Sequence, residues 1–79
     1  MNESGAFISI RKQVDTLRKE AESHDTAARL YDIAFNLGEL YKTTLDCYNT
    51  KQLTRGERGN ILQRISDIRQ YIQDKEVRE

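Results

Sequence analysis

The chain contains no proline and no tryptophan, and only one cysteine, one histidine and four glycines among its 79 residues. A single cysteine cannot form an intrachain disulfide, which excludes a stapled secreted scaffold and suits the reducing cytoplasm. One histidine and one cysteine fall short of the four clustered ligands of a structural zinc site, so neither metal nor other cofactor is expected. The glycines Gly5, Gly38, Gly56 and Gly59 form no phosphate loop and no dinucleotide fingerprint. No apolar run approaches the ~20 residues that span a bilayer. No basic stretch followed by a long apolar core opens the chain, so neither a membrane segment nor a signal peptide is expected. An excess of one charge sign is missing too: 13 Lys and Arg balance 13 Asp and Glu. That removes the whole-protein field which would draw in nucleic acid or an anionic membrane. The length excludes a multi-domain enzyme and predicts one helical domain over residues 1–79.

What is present points to helices. Residues 6–37 contain neither glycine nor proline, and no sustained alternation of apolar and polar residues signals a strand. The first helix is predicted over about 4–23, with Ser4 as its cap and a narrow seam of Phe7, Ile10, Val14, Leu17 and Ala21. Ile8 falls off that seam. The second is predicted over about 25–48, where Ala27, Leu30, Ile33, Ala34, Leu37, Leu40, Tyr41, Leu45 and Tyr48 cover about half the circumference. Opposite them Asp25, Asp32, Glu39 and Asp46 recur every seven residues, with Arg29 and Lys42 close enough to pair weakly on a solvated face. The third is predicted over about 54–74. Thr54 followed by Glu57 is a capping box, and Ile61, Ile65, Ile68 and Ile72 form an all-isoleucine seam. Residues 75–79 are nearly all charged and are expected to fray. Gly56 and Gly59 weaken the start of this helix by about 1 kcal/mol each relative to alanine.

A broad central face between two narrow seams predicts an all-α fold, a three-helix antiparallel bundle with the second helix in the middle. No breaker stands at Ser23, His24 and Asp25, so the first two helices can also be read as one rod of about 45 residues, roughly 65 Å long. Such a long helical hairpin would dimerise into a helical bundle, and heptad spacing places His24, Ala28, Tyr31, Phe35 and Gly38 on one stripe. A core this small seldom supplies more than about 3–5 kcal/mol without disulfides, metal or association, so a homodimer is expected.

The sequence offers little chemistry. No serine stands near a base, the paired carboxylates lie on a wet ladder, and a unit this small leaves little room for a pocket. Cys47 reads as a small half-buried hydrophobe and His24 as a junction residue. The chain is therefore expected not to be an enzyme. Two surfaces stand out instead. Tyr31, Phe35, Gly38 and Lys42 line one flank of the second helix, where aromatics favour a protein interface and a mid-helix glycine permits close approach. Between Lys51 and Arg69, five cations against two acids give a local charge of +3. There Arg55, Arg58 and Arg69 are possible phosphate contacts, although the tight spacing of a helix-turn-helix unit is missing. The expected function is a small cytoplasmic regulator, adaptor or inhibitor that binds a partner protein. The alternative is a dimeric nucleic-acid-binding regulator using the basic flank of the third helix.

Overall fold

The structure, a computed structural model, describes residues 4–77. Among them lie three helices and no strand: α1 over Gly5–Ser23, α2 over Ala27–Asn49 and α3 over Arg55–Val77. None is long and apolar enough to cross a membrane.

The starts of α1 and α3 and the end of α2 are set by local hydrogen bonds. Ser4 Oγ accepts from the Phe7 amide at 3.1 Å, satisfying one of the unpaired donors of the first turn of α1. Thr54 and Glu57 close the expected box: the Thr54 amide donates to Glu57 Oε1 at 2.9 Å, and the Glu57 amide donates to Thr54 Oγ1 at 3.1 Å. The end of α2 is a Schellman turn, in which the Gln52 amide reaches the Cys47 carbonyl at 2.8 Å and the Lys51 amide reaches Tyr48 at 3.1 Å. Lys51 there takes the left-handed conformation, φ 65°. Thr26 caps α2 without a side-chain hydrogen bond.

Two expectations are corrected at the ends of elements. The continuous rod does not form. His24 is extended (φ −123°, ψ 138°), its amide closing the last turn of α1 on Glu20, and α2 begins only at Ala27, two residues later than expected. The longest dimension, 43 Å, is also far short of the roughly 65 Å that the rod requires. Nor does fraying begin at residue 75. Helix α3 continues to Val77, and Lys75 Nζ donates to the Ala21 carbonyl at 2.6 Å, the His24 carbonyl at 3.1 Å and Asp25 Oδ1 at 3.0 Å. Residues 78 and 79 lie outside the described part.

Every helix touches the other two. The seams of α1 and α3 are buried as their spacing predicts, with Val14 and Ala21 fully enclosed beside Ile61, Ile65 and Ile68. From α2 the core takes Leu30, Ile33, Leu37 and Leu40, and also Thr44, whose hydroxyl donates to the Leu40 carbonyl at 2.6 Å. That bond lets a polar side chain sit in an apolar interior. Ala27 and Tyr41 were expected in the core and are exposed instead, so the buried arc of α2 is narrower than its apolar content. Leu53, just before α3, closes one end of the core.

Candidate functional site

The outward side of α2 carries the largest exposed apolar groups among the described residues. Tyr31 is 72% exposed and Phe35 62%, against 46% for Ile8 and 42% for Tyr41. Gly38 and Lys42 follow at helical spacing, the first half-buried and the second in solvent. All four predicted residues of this flank therefore share one face, set by the buried stripe: with Leu30, Ile33, Leu37, Leu40 and Thr44 turned inward, positions 31, 35, 38 and 42 must turn away.

This flank is continuous with α3. A methyl group at position 38 would sit 3.4 Å from Arg69 Nη2, which is ordinary contact with the movable end of a side chain. An open groove of about 280 Å³ nearby is lined by Ala34 of α2 and by Arg69, Ile72 and Gln73 of α3. The aromatic flank and part of the basic flank, separate in the sequence, thus form a single surface. Gly38 is helical with negative φ, so neither its backbone nor its neighbours demand a glycine. It nevertheless weakens the helix by about 1 kcal/mol relative to alanine.

The basic stretch is less available than its charge count implies. The Arg58 guanidinium stacks 4.4 Å from the centre of the Tyr48 ring, and its Nε is buried without a hydrogen-bond partner. Arg64 Nη1 pairs with Asp15 Oδ1 at 2.9 Å, and its Nε donates to Asn60. That leaves Lys51, Arg55 and Arg69 exposed. The acidic row is exposed, as expected of a solvated face, but its expected pairs with Arg29 and Lys42 do not form. Asp25 lies in the link before α2 and pairs with Lys75, while Arg29 turns to Glu20 of α1 at 3.4 Å. No ion pair reaches Asp32, Glu39 or Asp46 from the described residues.

The remaining surface carries two further open grooves. They are about 340 and 370 Å³, larger than the size of the chain implied. The first lies between α1 and α2, lined by Gln13, Thr16, Leu17, Asn36, Glu39 and Leu40. The second runs along α1 past Ile8, Lys12, Asp15 and Lys19. Among the described residues no group of three His, Cys, Asp or Glu is placed to hold a metal ion. Cys47 is half-buried against the core, and His24 is in solvent with its backbone committed to the α1 terminus.

Three long-range ties, Ser4 to Glu57, Asp15 to Arg64 and Lys75 to the end of α1, have no signal in the sequence beyond the capping box that places Glu57. Comparison of the chain with protein families, with curated proteins and with solved structures finds no match.

Proposed function

We propose that this chain is a small non-enzymatic protein that acts by binding a partner protein through the outer face of α2, as a regulator, adaptor or inhibitor in the cytoplasm. The observation that carries this reading is the placement of Tyr31 and Phe35, two large aromatics 72% and 62% exposed, on an ordered helix beside a glycine its own packing does not require. Exposed aromatic side chains at the centre of a surface are the usual anchors of protein interfaces. The arrangement that presents them is an antiparallel three-helix bundle, α2 running opposite to α1 and α3. The start of α1 bonded to the start of α3, and its end to the end of α3, support it.

Phe35→Asp tests the reading. The substitution retains helicity, because the side chain is outside the core, and removes capture of the partner from an extract of the native host. Unchanged capture overturns it. Nucleic-acid binding is the second reading, supported by the exposure of Arg55 and Arg69, but the stacking of Arg58 on Tyr48 weighs against it. It requires binding to random duplex that falls steeply with salt and is lost in Arg55→Glu with Arg69→Glu. No binding at about 50 mM salt removes it.

A further inference from the structure

The exposed side of α2 has a regularity beyond its two aromatics. Ala28, Tyr31, Phe35, Gly38, Lys42 and Leu45 are separated by three, four, three, four and three residues, the spacing of a coiled-coil seam. The buried stripe from Leu30 to Thr44 has the same spacing, displaced by two residues and about 160° around the helix. Helix α2 therefore carries two heptad seams, one filled by α1 and α3 and one turned outward, with Ala28, Tyr31, Phe35 and Lys42 exposed and Gly38 and Leu45 half-buried.

The margins of the outer seam differ in charge. One residue beyond Tyr31, Gly38 and Leu45 stand Asp32, Glu39 and Asp46, with no ion pair from the described residues. The other margin, Ala27, Ala34 and Tyr41, has no charge of its own, and beside Ala34 and Gly38 lies the Arg69 guanidinium of α3. Across the face the order is cation, aromatic seam, acids.

We propose that the occupant of this face is a second copy of the chain, docked with the two α2 helices parallel about a two-fold axis running along them. This deepens the proposed function by naming the partner of the same surface, and it rests on that reading. A two-fold parallel to α2 sets the acidic margin of each copy against the Arg69 edge of the other. An antiparallel pairing sets acids against acids and Arg69 against Arg69. In the parallel register Gly38 meets Gly38 of the second copy, where the missing side chains let the backbones approach and the neighbouring Phe35 rings close over the gap. The glycine that the single chain does not need is needed there. Lys42, polar in an otherwise apolar seam, fixes the register, as a lone polar residue does in parallel pairs.

Sedimentation equilibrium of the full chain tests this directly. The expected result is a reversible dimer of twice 9.2 kDa whose melting temperature rises with concentration. Phe35→Asp raises the dissociation constant at least about tenfold while retaining helicity. Gly38→Ala moves two readouts in opposite directions, raising the melting temperature of the dilute monomer and weakening the dimer. Asp32→Lys with Glu39→Lys weakens association, and adding Arg69→Glu restores it. Tyr31→Cys in a Cys47→Ser background, oxidised with diamide, forms an intermolecular disulfide only if the helices are parallel. Antiparallel pairing about the Phe35–Gly38 centre separates the two thiols by about 16 Å along the axis. A monomer at every concentration, a dimer indifferent to Phe35→Asp, or no crosslink through position 31 overturns the proposal. The broader reading of this face falls separately, only if Phe35→Asp also leaves partner capture unchanged.

Discussion

Ser4 and Glu57, 53 positions apart, join the first turns of α1 and α3: the Ser4 amide donates to Glu57 Oε2 and its hydroxyl to Oε1, each at 3.1 Å. Glu57 also accepts from the Thr54 amide, so one carboxylate caps two helices. These bonds, the Thr54 amide's first and the Ser4 amide's next, hold its pKa below the ordinary 4.5. The unfolded chain then binds the proton more readily than the folded one. The stabilisation is complete above 4.5 and is lost as pH falls through the lower folded value. Melting curves of the parent and Glu57→Gln from pH 7 to 3 should therefore converge as pH drops below 4.5. A gap that stays constant would show that the charge of Glu57 is not what matters.

Lys75 closes the opposite end. Its ammonium satisfies the carbonyls of Ala21 and His24, which otherwise have no helical partner, and lies 5.0 Å from the centre of the Tyr71 ring. The Asp25 contact, followed by a smaller one from Tyr71, raises its pKa above the ordinary 10.5, with partial burial opposing. The stabilisation is complete below 10.5 and disappears only as pH rises through the folded value, so it is constant at neutral pH. Asp25 is 90% exposed on its side chain and Lys75 only 15%, so the carbonyl bonds carry more of the effect than the ion pair. Lys75→Met should lower the melting temperature clearly, and Asp25→Ala should barely move it. Equal losses would reverse that assignment.

Much of this fold is legible in the spacing of apolar residues, because a seam of threes and fours has one buried side wherever it packs. Phe7 to Ala21 and Ile61 to Ile72 show it. Helix α2 is harder to read, since it is apolar around more of its circumference than two neighbours can cover. By residue type Ala27 and Tyr41 belong to the interior and Thr44 does not, yet the first two are exposed and Thr44 is enclosed through its own backbone bond. The break at His24 is written in no local signal; the ammonium that completes the α1 terminus comes from 51 residues away. The aromatic flank of the candidate site follows from the helix wheel. Its union with Arg69 does not, nor does the loss of Arg58 to Tyr48, since both depend on how α3 lies against α2.

The isoleucine seam of α3 sets the stability of the whole unit. Ile65 is 1% exposed, and truncating such a side chain to alanine costs about 2–5 kcal/mol. A core of this size supplies only about 3–5 kcal/mol in total. Ile65→Ala should therefore lose its cooperative urea transition, whereas Ile65→Val, costing about 0.5–1.5 kcal/mol, should keep it at a lower midpoint. Ile8→Ala, in a side chain 46% exposed, should leave the midpoint close to that of the parent. A cooperative Ile65→Ala transition would mean that the fold draws stability from another source, association included.

Two backbone positions carry residues of the wrong kind for their conformation, and exchanging them should stabilise the chain. Lys51 holds the left-handed position of the Schellman turn at φ 65°, where a Cβ crowds the following carbonyl and glycine is the favoured residue. Gly59 lies within α3 at negative φ, with nothing within 4 Å of where a methyl group would stand, and nothing in the structure explains it. Lys51→Gly should gain about 0.5–1 kcal/mol, the relief of strain outweighing the added freedom of the unfolded chain. Gly59→Ala should gain a similar amount, up to about 1 kcal/mol, from helix propensity. Each gain corresponds to a rise of several degrees in melting temperature, since about 1 kcal/mol shifts a domain of this size by roughly 4–8 °C. The opposite substitution, Lys51→Val, places a β-branched residue in the same strained conformation and should lower the melting temperature. If Gly59→Ala destabilises the chain, a partner backbone lies against that turn, and the loss should then vanish on dilution.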